Sequence, residues 1–223
     1  MTRAAFCFWS AVLKDGYPES RAATGKMRGF LGFARNDTVG RVVTQMMTVG
    51  HSTLAIDSFL RALKDNGVKM LVDVRRFPGS RRYPQFSQAA LFASLESAGI
   101  RGVWREGLGG RRTPAKDSVN TAWRNESFRG YADYMQTEAF RREIDWLVGL
   151  PEIDLTVVMC AEAVPWRCHR SLIADAVLAR GLSVEDLFVK GDGESDRKPH
   201  AMTEFAQVRV GRVWYPGEPV LFE

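Results

Sequence analysis

The residues best suited to chemistry lie in one loop, between a predicted strand and a predicted helix. The loop holds two of the three cysteines, a glutamate, a histidine and two arginines: Cys160, Glu162, Arg167, Cys168, His169 and Arg170. A thiolate is a strong nucleophile, and nearby guanidinium groups and helix termini lower the pKa of a thiol. We therefore expect Cys160 to be a catalytic nucleophile or sulfur carrier, with Glu162 or His169 transferring protons. The opposing interpretation is a buried structural cysteine.

The spacing of this loop argues against simple phosphomonoester hydrolysis. In phosphatase loops five residues separate the cysteine from an arginine. Here six residues, 161–166, separate Cys160 from Arg167. Glu162 would also repel a phosphate held by backbone amides. An acid or base role suits Glu162 better.

Metal binding is a rival chemistry for the same loop. Cys160, Glu162, Cys168 and His169 are all residue types that bind zinc or iron, and His51 and His200 are more distant histidines. The chain has no Cys-x2-Cys pair, and Cys168 and His169 are adjacent, so we expect their side chains to point apart. No cofactor is therefore preferred, and a structural domain that binds Zn or Fe stays open as an alternative.

A strand and a helix position this loop. Residues 155–159 form an apolar run with a β-branched centre, which is typical of a strand buried on both faces in a parallel sheet. From Ser171 onward apolar residues recur at helical spacing, and Gly181 provides a stop. Ligand sites of open α/β sheets lie at the carboxyl ends of strands, so the loop is expected to form the site.

Two further strands are expected to end at the same edge. Residues 48–52 form a short predicted strand that ends in polar residues, including His51. A helix follows, with apolar residues at positions 56, 59, 60 and 63, and a second predicted strand at 68–74 ends near Asp73. If these strands are neighbours, His51, Asp73 and Cys160 converge. Asp73 would then orient a histidine or arginine, and His51 would transfer protons. Alternatively, His51 and Asp73 only satisfy loop backbone groups.

The remaining patterns predict one α/β domain, with a mainly parallel sheet flanked by helices and a short C-terminal hairpin. In chain order they indicate a loop (75–86), a helix (87–99), a strand (100–104), one or two helices (128–147), a strand (around 187–189), a polar loop (191–198), one helical turn (199–206) and a hairpin (208–215).

The first 45 residues differ from the rest, because they are rich in helix breakers and poor in periodicity. We predict a loosely ordered or peripheral N-terminal extension at 1–45 and a compact domain at 46–223; the alternative is a true helix at 6–13. No apolar run reaches the length of a membrane span. The odd number of cysteines, three, and the lack of a convincing secretory signal predict a cytoplasmic protein without membrane association.

Basic residues exceed acidic ones, 31 to 26, and several arginines occur in doublets in loops leaving the predicted site edge. An anionic small molecule is the favoured ligand, with expected binding residues Arg75, Arg81, Arg111, Arg167, Arg170 and His200. Nucleic acid is the alternative partner, since Phe77, Tyr83, Phe86 and Trp104 interleave with arginines and aromatic rings can stack on bases. A simply solvated basic surface is the third interpretation, and nothing in the sequence indicates an oligomeric state.

Several short motifs occur together, in one order and spacing: residues 49–52, Asp73-Val74-Arg75 with Pro78 and Ser80, Phe86, residues 107–110, Cys160-Ala161-Glu162, Cys168-His169-Arg170, Pro199-His200 and Phe205-Ala206. From about Thr48 to Tyr215 the chain resembles the bacterial domain-of-unknown-function family 488. The resemblance implies a cytoplasmic α/β domain whose site is built from these motifs, and it implies no established activity.

A looser likeness is to rhodanese-type sulfurtransferases, which also have Asp-x-Arg at a strand end and a cysteine between strand and helix. Glu162 and the longer loop containing Pro165 and Trp166 differ from that pattern. Persulfide chemistry at Cys160 is thus an analogy.

Overall fold

The computed structural model describes residues 45–79, 82–150 and 155–217. It contains five α-helices and eight strands in these ranges: β1 (Gln45–Gly50), α1 (Ile56–Asp65), β2 (Met70–Asp73), α2 (Gln88–Ser97), β3 (Arg101–Trp104), α3 (Glu126–Tyr134), α4 (Glu138–Val148), β4 (Thr156–Cys160), α5 (Arg170–Leu178), β5 (Ser183–Val189), β6 (Ser195–Pro199), β7 (Gln207–Arg209) and β8 (Arg212–Trp214). Short 3-10 turns include Pro84–Phe86, Glu106–Leu108 and Pro165–Arg167.

Six strands form one sheet in the order β3-β2-β4-β1-β5-β6, and β7 and β8 form a separate antiparallel hairpin. The first five strands of the sheet are parallel, and β6 pairs antiparallel with β5. The predicted class is therefore confirmed: an α/β fold with a mainly parallel sheet, flanking helices and a C-terminal hairpin.

The strand that precedes the candidate loop, β4, lies inside the sheet and is fully buried. Its side chains alternate between the two faces of the sheet. Val158 and Cys160 pack in the core formed with α3, α4 and α5, whereas Val157 and Met159 pack in the core formed with α1 and α2. Both faces of β4 are thus covered, which explains its continuous apolar run.

The strands that carry His51, Cys160 and Asp73 are neighbours in the sheet, although β1 and β2 do not pair directly with each other. β4 lies between them, and its residues pair with both strands: Met159 is opposite Val49 on one side and Asp73 on the other. After α1 the chain therefore does not return to the position next to β1, and β4, which comes later in the sequence, occupies that position. This insertion places Cys160 between the ends of the two strands that carry His51 and Asp73.

Two predictions for the C-terminal part of the chain are wrong. Residues 191–198, predicted as a loop, contain most of β6, whose polar, exposed sequence suits the edge of a sheet. Residues 199–206 contain no helical turn; the backbone there makes a turn in which Ala206 donates to the Thr203 carbonyl. The hairpin is confirmed, and its two turn residues, Val210 and Gly211, both have positive φ, as a tight hairpin turn requires.

The predicted N-terminal extension and the alternative helix at 6–13 lie outside the described residues, apart from Gln45. Arg81 also lies outside them. Within the ranges that the structure describes, none of the helices has the length and apolar character needed to cross a bilayer.

Candidate functional site

Three strand ends meet at the carboxyl edge of the sheet. The His51 amide donates to the Cys160 carbonyl over 3.0 Å, and the Val74 amide donates to the Met159 carbonyl over 3.0 Å. His51, Asp73 and Cys160 therefore reach one edge, as expected. Because strand side chains alternate, however, Cys160 projects towards the α5 side, whereas Asp73 lies on the opposite face with α1 and α2.

On the α5 side, Cys160, Cys168 and His169 form a group that we call the thiol cluster. Their two sulfur atoms and one ring nitrogen all lie within 4.8 Å of one another. Cys168 Sγ is 3.7 Å from His169 Nδ1. His169 Nε2 is 3.2 Å from the Val74 carbonyl oxygen, which can only accept. Neutral His169 therefore carries its proton on Nε2 and presents Nδ1 to the sulfurs as an acceptor.

The expectation that Cys168 and His169 point apart is wrong, and the backbone explains why. Cys168 is extended (φ −132°, ψ 140°) after the 3-10 turn Pro165–Arg167, whereas His169 already has helical angles (φ −56°, ψ −16°) at the start of α5. Neighbouring side chains diverge within a strand or within a helix. The change of conformation between these two residues brings both side chains to the same side.

Hydrogen bonding makes the two thiols unequal. The Cys168 thiol hydrogen-bonds the Cys160 sulfur and, with the His169 ring and the Arg170 charge, holds the pKa of Cys160 well below its ordinary value, although burial opposes this. The same bond, together with burial, raises the pKa of Cys168. Cys160 is thus the thiol that ionises first.

Arg170 places a buried positive charge beside this cluster. Its side chain is 1% exposed and donates to the backbone carbonyls of Glu162 and Ala163. In the part of the chain that the structure describes, it makes no ion pair with a carboxylate, and its Nε has no hydrogen-bond partner. A buried cation without a counter-ion is unfavourable. Arg170 therefore favours a thiolate at Cys160.

Two glycines allow the close packing around the cluster. A Cβ atom at Gly50 would overlap the Glu162 carbonyl, so that carbonyl lies directly on the end of β1. A Cβ atom at Gly110 would lie 2.8 Å from Nδ1 of His169. Glycine is therefore needed at both positions, so that the loop after Cys160 and the ring of His169 can pack this closely.

On the opposite face, Asp73 and Arg75 form a buried ion pair. Arg75 donates from Nε to Asp73 Oδ1 over 2.9 Å and from Nη2 to Oδ2 over 2.6 Å. Its Nη1 donates to the Phe86 carbonyl over 2.7 Å. Burial raises the pKa of Asp73, and the hydrogen bonds and charge of Arg75 oppose that rise. Asp73 does orient an arginine, and the positive charge of Arg75 is neutralised inside the protein.

His51 packs against this ion pair. Its Nε2 lies 3.3 Å from Arg75 Nη1, and its Nδ1 lies 3.0 Å from the Ser52 carbonyl oxygen. Arg75 can only donate and the carbonyl can only accept, so neutral His51 carries its proton on Nδ1. Burial and the Arg75 charge lower the pKa of His51 to about 4. At neutral pH His51 is therefore an uncharged group.

An open cleft of about 300 Å³ lies over this face, lined by residues that include His51, Arg75, Phe77, Tyr83, Ala161 and Glu162. Residues 161–163, which line it, follow Cys160 directly in the chain. Phe77 at its mouth is 63% exposed, and the guanidinium carbons of Arg76 and Arg111 lie 5.9 and 5.7 Å from its ring centroid. The mouth of the cleft thus combines an exposed aromatic ring with two positive charges.

Comparison with protein families gives one match, to the family described as domain of unknown function DUF488, over residues 55–177. This range covers more than half of the chain. The chain belongs to the DUF488 family. The match includes the thiol cluster, Asp73 and Arg75, and it does not reach His51 or His200. Comparisons with curated proteins and with solved structures give no match, and the likeness to rhodanese-type enzymes gains no support.

The DUF488 site does not contain every residue expected from the sequence. His200 lies in a separate buried group with Asp175 and Asp186. Arg167 is exposed on the loop, and Arg111 is exposed beside Phe77. Glu162 is also exposed, with Oε1 accepting from the Val164 amide over 3.4 Å.

Two of the aromatic residues expected to stack on bases are not free to do so in the DUF488 structure. Phe86 is buried and stacks on His51 with ring centroids 4.1 Å apart. Trp104 is half-buried and donates from Nε1 to the Arg75 carbonyl over 2.9 Å. Only Phe77 and Tyr83 of that predicted set line the cleft among the described residues.

The main feature that the sequence did not reveal is the partnership of Cys168 with Cys160. The sequence points to Cys168 only as an alternative metal ligand and through the family resemblance, because the orientation of its side chain depends on the 3-10 turn before it. Pro165 at the start of that turn was the available signal, since proline favours the first position of such turns. The same sulfur, sulfur and nitrogen set has the donor types that suit zinc.

Proposed function

We propose that this DUF488 protein is a thiol-dependent enzyme in which Cys160 is the nucleophile and the substrate is anionic. One observation carries the proposal: the Cys160 sulfur lies within 4.8 Å of the Cys168 thiol and of a ring nitrogen of His169. The buried Arg170 guanidinium beside it favours the thiolate. Activated cysteine nucleophiles lie in such electropositive surroundings.

Each residue of the cluster has a distinct role in this proposal. His169 accepts the thiol proton at Nδ1, while its bond to the Val74 carbonyl keeps the ring in the right tautomer. The thiolate then forms a bond to the electrophilic atom of the substrate, and the bonding electrons move to the leaving group. Protonated His169 returns its proton to that group. Glu162, which is exposed at the cleft, is the second candidate for this proton transfer.

The anionic nature of the substrate follows from the rim of the cleft. Arg76 and Arg111 lie beside Phe77 there, and neither forms an ion pair with a carboxylate of the described residues. Arg76 donates to the Arg111 carbonyl over 3.1 Å, which links the two loops. Arg75 is a positioning residue, since Asp73 neutralises its charge. Two guanidinium groups at an opening attract a carboxylate, phosphate or sulfur-bearing anion.

The test is the pH dependence of alkylation by iodoacetamide, followed by mass spectrometry of the peptide that contains Cys160. Modification of Cys160 should begin well below the pH at which ordinary thiols react. Arg170→Gln should shift the profile upward, whereas Arg167→Gln, an exposed arginine of the same loop, should leave it unchanged. An ordinary thiol profile in the wild-type protein, or no reaction at Cys160 before unfolding, would refute the proposal.

Nucleic-acid binding is a second candidate, because Phe77 is exposed between two guanidinium groups. Aromatic stacking on a base contributes about 1–3 kcal/mol. Phe77→Ala should therefore weaken binding of a single-stranded oligonucleotide at least several-fold, and Val210→Ala, a change on the distant hairpin turn, should not. Binding that does not weaken steeply with added salt would exclude this candidate.

A further inference from the structure

We infer that Cys160 and Cys168 form a reversible dithiol pair, in which Cys160 attacks a disulfide substrate and Cys168 displaces the product. This inference rests on the proposed function and names its reaction class, thiol–disulfide exchange. It uses a second residue, Cys168, that a single-nucleophile enzyme does not need.

The positions of the two sulfurs carry the inference. Cys160 ends β4 and Cys168 follows the 3-10 turn Pro165–Arg167, so two separate elements bring the sulfur atoms within 4.8 Å of each other. A disulfide needs sulfur atoms about 2.05 Å apart. A small movement of the turn, which lies on the surface with Trp166 and Arg167 exposed, would close that gap.

The position of the His169 ring divides the roles between the sulfurs. Both cysteines are mostly buried, Cys160 9% and Cys168 4% exposed, so an external disulfide reaches the pair only when the surface turn moves. His169 Nδ1 lies 3.7 Å from Cys168 Sγ, where it can accept the proton of the second thiol. Both cysteines pack in the apolar core, as purely structural cysteines do, but they also share a histidine acceptor and a nearby buried cation.

The chemistry balances in two steps. The Cys160 thiolate attacks one sulfur of a disulfide R–S–S–R′, the S–S bond breaks, and R′S⁻ leaves and takes up from His169 the proton that Cys160 gave to it. His169 then accepts the Cys168 proton, the Cys168 sulfur attacks Cys160, and RS⁻ leaves with the proton from His169. The substrate gains two electrons and becomes two thiols, and the protein dithiol becomes a disulfide. A low-molecular-mass thiol reductant reverses the change.

The substrate class follows from the surroundings of the pair. The guanidinium groups of Arg76 and Arg111 beside Phe77 favour a disulfide that carries carboxylates, and residues 161–163, which line the cleft, follow Cys160 directly in the chain. Glutathione disulfide has this chemistry and is a suitable probe. Cystamine, a disulfide whose two amines are protonated at neutral pH, is the matched probe of opposite charge.

The experiment uses the full-length chain in a Cys7→Ser background, so that only the two cluster thiols remain. The protein is exposed to glutathione disulfide, quenched with N-ethylmaleimide and analysed by intact mass and peptide mapping. The parent should form a disulfide between residues 160 and 168, without a lasting adduct. Cys168→Ser should accumulate a glutathione adduct at Cys160, and Cys160→Ser should form neither product. Circular dichroism checks that each variant is folded.

Several results would overturn the inference. One is a parent protein that accumulates the adduct at Cys160 as Cys168→Ser does. Another is stoichiometric zinc in protein purified without added metal, because zinc would occupy both sulfurs. If Cys160 still alkylates at low pH in these cases, only the dithiol inference fails. If Cys160 shows no enhanced reactivity with iodoacetamide, the proposed function fails with it.

Discussion

His200 lies against Asp186 in the interior, with its Nδ1 2.7 Å from the Oδ2 atom of that carboxylate. On the other side of the ring, Nε2 lies 3.4 Å from Oδ1 of Asp175 in α5. Asp186 also accepts from the hydroxyl of Thr48 in β1 over 2.6 Å, and Asp175 accepts from the hydroxyl of Tyr215 over 2.8 Å. This network connects the central sheet, α5 and the segment after β8. We assign it a structural role.

Replacing His200 by Gln should make the free energy of unfolding less dependent on pH in the alkaline range. Burial alone lowers the pKa of His200, but Asp175 and Asp186 outweigh it and raise the pKa from 6.5 to about 9. The folded state therefore holds the proton more tightly than the unfolded state. The stabilisation, about 3 kcal/mol, is fully present below pH 6.5 and disappears as the pH rises through 9.

Urea denaturation of the wild type and His200→Gln at pH 6 and pH 9.5 checks this. The difference in unfolding free energy between the two proteins should shrink between those pH values. A difference that stays constant would show that the charge of His200 contributes nothing.

His51 should have the opposite pH dependence. Burial, together with the Arg75 charge, lowers its pKa from 6.5 to about 4, so the unfolded state binds the proton more readily. The contribution of His51 is present above pH 6.5 and is lost as the pH falls towards 4, by about 3 kcal/mol. Denaturation curves of the wild type and His51→Gln, measured from pH 7 to pH 4, should converge on acidification. Curves that stay parallel over this range would contradict the expectation.

Asp73→Asn should strongly destabilise the fold. The substitution leaves Arg75 buried without its counter-ion, and breaking such a pair costs about 3–5 kcal/mol. Glu138→Gln, which removes one partner of the exposed Arg141 pair, is the matched control and should change stability little. The measurement is the free energy of unfolding of each variant. Equal effects of the two substitutions would mean that burial does not decide the strength of the Asp73 pair.

Gly50→Ala should damage both stability and the thiol cluster. The added methyl group would overlap the Glu162 carbonyl, which Arg170 also binds, so the loop after Cys160 must move. We expect a loss of about 2 kcal/mol or more and slower alkylation of Cys160. Gly191→Ala is the control, since a Cβ there meets open space. Unchanged stability and alkylation rate in Gly50→Ala would show that the loop packs differently.

The elements of the fold were largely predictable from local patterns. The apolar run of β4, the helical stripe of α1 and the start of α5 beyond His169 each depend on neighbouring residues in the chain, and all three are found in the structure. Strand β6 was missed because an edge strand buries no face and therefore shows no apolar alternation. The parallel sheet also placed the candidate residues at one edge, as expected.

The amino-acid sequence by itself determined the chemistry available at this edge: two thiols, two histidines, an aspartate and several arginines. Only the tertiary structure decided how these groups are divided. Strand order placed β4 between β1 and β2, and the alternation of its side chains turned Cys160 away from Asp73. One 3-10 turn then brought Cys168 back to Cys160. Such groupings depend on long-range pairing and on a local change of backbone angles, which residue spacing alone does not encode.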